Sequence, residues 1–169
     1  MWIKLLQQDT HLRRIALRTW PGLFAMGFGS GLARKAPGTM GTLAAVPLAW
    51  LLLQLPAILF WLVWIILFWS GIYWCEVTSR RLQRVDPGCI VWDEMVAYWL
   101  IVALLPLHWA WWLAALVLFR LFDIVKPWPI RHIERRVKGG LGVMLDDILA
   151  AGYTLLVLLA GQWLLTRGG

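Results

Sequence analysis

AILFWLVWIILFWSGIYWC, residues 57–75, carries no charged side chain over nineteen positions. As an α-helix it extends about 28 Å at ~1.5 Å per residue, close to the ~30 Å hydrocarbon thickness of a bilayer. It reads as a full membrane crossing, so the fold depends on its companions. Pro56 breaks the chain before it. Upstream, residues 42–55 are apolar but shorter. Downstream, residues 94–105 end at Pro106, residues 108–124 return, and residues 143–165 form the last and longest run. The shorter runs span only if they extend or the bilayer thins locally.

The surrounding composition agrees. Hydrophobic residues make up 61% of the chain, against roughly 45–50% in soluble globular proteins. Many of the fourteen tryptophans lie at the ends of apolar runs (Trp50, Trp61, Trp74, Trp99, Trp109, Trp111, Trp112), as interfacial anchors do. The expected fold class is all-α: a polytopic membrane helical bundle of four to five transmembrane helices. Residues 1–20 read as an amphipathic helix, with Leu5, Leu12, Ile15 and Leu17 toward lipid and Lys4, Arg13, Arg14 and Arg18 toward headgroups. Glycine-broken residues 23–41 are expected to be irregular or re-entrant, which needs protein or a wet cavity alongside. With no linker or repeat, residues 1–169 form one domain, with 1–21 peripheral and 22–166 the bundle.

The net charge is +7. No basic stripe interleaves with exposed aromatics, so nucleic acid is not an expected partner. The charge suits an anionic membrane surface instead. Cys75 and Cys89 fit no metal spacing and read as reduced, packed thiols. The polar, basic N-terminus is no secretory signal. Threading five crossings from an internal N-terminus puts residues 1–41, 76–93 and 125–142 on the cytoplasmic side. Counting helix ends, which adds Arg120, fifteen of the sixteen Lys and Arg residues then fall there, and only Arg167 does not; that asymmetry supports the orientation. Every cluster of acids and every glycine-rich stretch lands on the same face.

Five of the nine carboxylates sit where apolar helices should meet water: Asp93 and Glu94, Asp123, and Asp146 and Asp147. Acids beside membrane-length apolar runs are costly and raise a functional question. Asp93 and Glu94 open a span, where one acid suits the helix dipole but two adjacent acids point different ways. Asp123 lies near a helix C-terminus, where negative charge is disfavoured. Arg120, one turn earlier, either pairs with it or binds phosphate together with Lys126. Residues 139–142 (GGLG) read as a glycine turn delivering Asp146 and Asp147 to the first turn of the last span. The segment GFGSG (27–31), continuing through PGTMGT (37–42), brings Gly38, Thr39 and Thr42 to a helix start. Such a loop forms a phosphate nest or merely permits close packing, with Thr42 as an N-cap. Oxygen ligands from three helices, without a convincing Cys/His set, favour Mg²⁺ over zinc. A bound Mg²⁺ suits phosphoryl chemistry, with a remaining carboxylate as general base. His11, His108 and His132 look incidental.

The strings GFGSG, PGTMGT, IVWDEM, FRLFDIVKPWPI and GGLGVMLDDILAAG resemble the phosphatidylglycerophosphatase A family over about residues 22–152. The resemblance implies a bacterial inner-membrane enzyme, multi-pass, with its active site facing the cytoplasm. It implies Mg²⁺-dependent hydrolysis of the terminal phosphate of phosphatidylglycerophosphate in anionic phospholipid biosynthesis, within a bilayer that supplies the lipid partners. Asp93, Glu94, Asp123, Asp146 and Asp147 are the acidic motif positions, and Gly38, Thr39, Arg120 and Lys126 lie beside them. We expect all five acids to serve the metal, Asp93, Glu94 and Asp123 to be catalytic, and Gly38, Thr39, Thr42, Arg120 and Lys126 to hold phosphate. The chain departs from the family pattern at Ala33, Arg34, Lys35 and Thr42. A cation- or proton-coupled transporter is the competing class, but its acids belong near the midplane and it often carries inverted repeats. The phosphotransferase and histidine phosphatase patterns of other membrane lipid enzymes are missing.

Overall fold

A computed structural model of the chain describes residues 10, 12–84 and 87–167. Every element among the described residues is helical, and no strand occurs there. Residues 12–18 are helical and precede α1 (Trp20–Ala25) and a 3₁₀ segment (Gly27–Leu32). Then follow α2 (Pro37–Leu52), α3 (Ala57–Leu82), α4 (Trp92–Ala103), α5 (Trp109–Val125), α6 (Ile130–Arg136) and α7 (Gly139–Arg167).

The N-terminal reading changes in detail. Lys4, Leu5 and His11 lie outside the described residues. Ile15 does not face lipid: it is buried and packs with Ala16 and Met26 against the bundle. Leu17 remains exposed. Of residues 23–41, expected to be irregular, only 26–36 lack regular α-helix; 23–25 end α1 and 37–41 open α2. The 3₁₀ segment is broken at Phe28 and Gly29, whose φ angles are 56° and 98°.

α4 is the centre. Nearly all its residues from Trp92 to Val102 are buried, and α2, α3, α5 and α7 pack around it. Indole N–H groups tie these helices together: Trp92 donates to Leu67 O at 3.2 Å, Trp64 to Val96 O at 3.0 Å and Trp99 to Ala45 O at 3.0 Å. Trp99 is therefore no interfacial anchor. It is 2% exposed, and a buried indole needs the acceptor that α2 supplies. Trp50 and Trp109 do stand exposed at run ends.

The outer surface is apolar. Leu113, Val117, Leu121 and Ile124 line one exposed stripe of α5, and Ile58, Leu62, Ile65, Ile66 and Trp69 cover α3. α3 and α7 are long and apolar enough to cross a membrane. Only 17% of α3's apolar window is buried, unlike the core helix of a soluble protein. The other expected crossings are shorter: α2 has 16 residues, α4 has 12 and α5 has 17. His108 is not incidental to its helix, since its ring accepts from Ala110 N at 3.3 Å and caps α5.

The expected runs 42–55 and 57–75 extend to Pro37 and Leu82, but the boundary difference that moves the site is in α7. The glycines at 139–142 do not form a turn before the last span but lie inside its first turns. A Cβ on Gly140 would come within 2.0 Å of Ile72 O. The glycine is there so that α7 can approach the α3 backbone. Asp146 and Asp147 consequently sit about 10 Å along the helix, beyond its first turn.

Candidate functional site

Three helices bring the predicted acids together: α4, α5 and α7. The first turn of α4 supplies Asp93 and Glu94, 8% and 9% exposed. The last turn of α5 supplies Asp123, with Arg120 one turn before it. Glu94 Oε1 accepts from Arg120 Nη1 at 2.6 Å, and the same Nη1 lies 2.7 Å from Asp123 Oδ2. Arg120 therefore does not simply pair with its neighbour one turn on; it bridges two helices.

The start of α2 closes over this pair. A Cβ on Gly38 would lie 2.0 Å from Glu94 Oε1 and 2.7 Å from an Arg120 terminal nitrogen. Only a residue without a side chain lets α2 approach so closely. Thr39 is half-buried beside it. Thr42 is fully buried and donates its hydroxyl to Gly38 O at 3.0 Å. It lies inside α2 and is no N-cap. Its hydroxyl is committed to the Gly38 carbonyl, so it braces this turn from within.

Lys126 comes from the α5 C-cap, where φ is 45°. Its ammonium meets Asp146 Oδ2 at 2.5 Å and Glu134 Oε1 at 3.0 Å. Burial pulls this lysine's pKa down, but the bonds to Asp146 and Glu134 outweigh it and hold the pKa above the ordinary lysine value. The amine stays charged at neutral pH.

Asp147, 2% exposed, sits within the field of Asp93, Asp123, Glu94 and Asp146. All five sequence-predicted acids thus share one locus. Among the described residues Arg120 contacts Glu94 and Asp123, and Lys126 contacts Asp146 and also serves Glu134. Buried carboxylates brought this close repel one another, and a cation among them relieves that repulsion. Asp147 Oδ2 is buried and accepts no hydrogen bond, and Arg120 Nε, also buried, donates none. Oxygen donors with surplus charge suit a hard divalent ion. Yet no three of these groups form a ready-made ligand shell among the described residues. Arg120 and Lys126 occupy oxygens of Glu94, Asp123 and Asp146, so an ion would share or displace those contacts.

Sequence reading missed Glu76 and Glu134. Glu76 Oε2 accepts from Gly140 N at 2.6 Å and caps α7 from α3. In sequence it looks like an ordinary surface partner of Arg80, four residues on, and it is that too, at 2.6 Å. Glu134 is hidden in a basic run; only folding α6 back reveals its contact with Lys126.

A family model described as Phosphatidylglycerophosphatase A matches residues 23–162. The chain is 44% identical over 161 residues to a Phosphatidylglycerophosphatase A of Haemophilus influenzae, covering 94% of this chain and 99% of that protein. Against the Escherichia coli protein of the same name, identity is 46% over 129 residues, 76% of this chain and 75% of the relative. A Bacteroides thetaiotaomicron protein named "Putative phosphatidylinositol-3-phosphatase" is 37% identical over 153 residues, 86% of this chain and 95% of its own. No solved structure matches the chain.

Proposed function

The chain belongs to the phosphatidylglycerophosphatase A family, and from that premise we propose that it hydrolyses the terminal phosphate of phosphatidylglycerophosphate to phosphatidylglycerol and inorganic phosphate. The observation that carries the reading is the meeting of five carboxylates with Arg120, Lys126 and the Gly38 backbone at one locus. A phosphomonoester brings oxygens that Arg120 and Lys126 are chemically suited to hold. Gly38 lets the start of α2 lie directly against Glu94 and Arg120, and Thr39 is the half-buried hydroxyl of that turn.

Asp93, Glu94, Asp123, Asp146 and Asp147 are the residues to hold Mg²⁺. When bound, the ion neutralises phosphoryl charge and stabilises the transition state. Asp93 or Glu94 takes the proton of an attacking water as its oxygen bonds to phosphorus. The bond from phosphorus to the glycerol oxygen breaks, and that oxygen leaves as a hydroxyl by taking the proton the carboxylate gained. Arg120, held by Glu94 and Asp123, positions the phosphoryl oxygens for in-line attack.

The membrane placement belongs to the same proposal. The shorter helices α2, α4 and α5 cross alongside α3 and α7, giving a multi-pass protein of the inner membrane. The acid pocket then faces the cytoplasm, and the acyl chains remain among the apolar faces of the bundle.

The test is phosphate release from phosphatidylglycerophosphate by purified protein in detergent, with Mg²⁺ and with EDTA. Release that stops in EDTA and returns with Mg²⁺ is expected. Asp123→Asn is expected to lose at least about a hundredfold in kcat while retaining its helical circular dichroism. Wild-type turnover by that variant removes Asp123 from the mechanism, and phosphate release indifferent to EDTA removes the metal.

A further inference from the structure

A basic groove adjoins the acid pocket and is not used by the chemistry above. It has a volume of about 470 Å³ and is lined by Val125, Lys126, Pro127, Trp128, Arg131, His132 and Arg135. Lys126 belongs to both places: its ammonium contacts Asp146 and Glu134, while its chain forms part of the groove wall. Arg131 and Arg135 are four residues apart on α6 and share one face. Both are exposed, as is His132. Within the groove lining no carboxylate opposes them.

The wall is built. Arg131 donates to Val125 O at 3.1 Å, and Tyr153 of α7 donates its hydroxyl to Trp128 O at 2.7 Å. These bonds pin the turn between α5 and α6 and leave most of the Arg131 guanidinium donors open. Trp128 itself is 81% exposed, an apolar ring beside cations, the combination found where protein meets headgroups.

A lipid phosphomonoester of the proposed kind has two phosphates. The terminal one reacts, and the other is a diester joining the headgroup to diacylglycerol, one glycerol away. We propose that the groove formed by Arg131, Arg135 and the 125–128 turn binds this diester and thereby selects lipids over soluble phosphomonoesters. The proposal rests on the phosphatase reading and extends it to a specificity site. Lys126 sits at the junction, so a headgroup reaching from groove to acid pocket passes the ammonium that both share. Phosphatidylinositol 3-phosphate, the lipid in the Bacteroides relative's name, also combines a monoester with a diester, and the groove addresses what the two lipids have in common.

The experiment compares wild type with R131A/R135A and with R131K/R135K, using phosphatidylglycerophosphate in neutral detergent micelles. For the alanine pair, KM is expected to rise about tenfold or more as two charge-assisted contacts are lost. Its kcat is expected to stay within about twofold, the signature of lost uniform binding. Inhibition by inorganic phosphate, which occupies only the monoester position, is expected to be unchanged. Inhibition by phosphatidylglycerol, which carries only the diester, is expected to weaken in parallel with KM. The lysine pair keeps the charges and is expected to recover most of the loss. An unchanged KM overturns the proposal, as does a loss confined to kcat. It is also overturned if the effect appears only when anionic bulk lipid is added, since the groove then reads the membrane and not the substrate. Failure of wild type to release phosphate is a separate outcome that refutes the phosphatase reading itself.

Discussion

Lys126 occupies a left-handed backbone position, φ 45°, of the kind glycine usually fills at a helix end. A side chain there costs roughly 1–2 kcal/mol, and the contacts with Asp146 and Glu134 explain why one is kept. Lys126→Gly is expected to relieve that strain yet remove the ammonium from Asp146 and Glu134, a loss of about 3–5 kcal/mol, for net destabilisation of about 1–4 kcal/mol. Denaturation in mixed micelles measures this, and a variant as stable as wild type removes the ion pair as the reason for the lysine. Gly38 makes the complementary case. Gly38→Ala inserts a methyl against Glu94 and Arg120. Displacing a phosphoryl-positioning group by about 1 Å costs on the order of a hundredfold in rate. Phosphate release from that variant is expected to fall by this factor with the helical content preserved; full activity means that the turn has slack that its contacts do not show.

At the scale of elements, the α3–α7 pair sets where the last two acids stand. Gly140 meets the Ile72 carbonyl, and Glu76 caps the Gly140 amide. Gly140→Ala opposes backbone with a methyl that no rotamer change can move, and about 3 kcal/mol of overpacking strain is expected. The melting temperature should drop, and activity should fall with it because Asp146 and Asp147 ride on the same helix. Glu76→Gln keeps an acceptor for the amide and is expected to cost less than about 1 kcal/mol; Glu76→Ala removes the cap and is expected to cost about 1–2 kcal/mol. If the alanine variants at both positions melt like wild type, the two helices are held by other contacts. The helix types and most boundaries were legible because charge-free runs and proline breaks mark them. The start of α7 was not. GGLG has the composition of a turn, and only the partner backbone at Ile72 shows that its glycines serve approach.

For the whole molecule, exposed apolar residues along α3, α5 and α7 make a consistent picture of a membrane-associated bundle. High-salt washing is expected to leave the protein in the membrane fraction, and detergent to release it, because burial of apolar area is not screened by salt. Single cysteines introduced at Ser79 and Gly161, in a background lacking Cys75 and Cys89, are expected to react with an impermeant thiol reagent from opposite faces. Ser79 should label from the cytoplasmic side. Labelling of both from one side contradicts an odd number of crossings between residues 79 and 161.

What the linear order of residues determined was the solvent. Charge-free runs of membrane length, tryptophan-marked ends and one-sided lysine and arginine are properties of composition and spacing, and hydrophobic transfer acts on them before any tertiary contact forms. The same order placed Asp93, Glu94, Asp123 and Lys126 at helix ends. Tertiary structure alone decided who meets whom: Arg120 reaching Glu94 across two helices, Lys126 joining Asp146 to Glu134, Gly38 lying on the ion pair, Trp99 turned inward to Ala45. Those choices depend on approach distances between backbones and on pairing buried charges. Both are set by residues far apart in the chain, which no local pattern encodes.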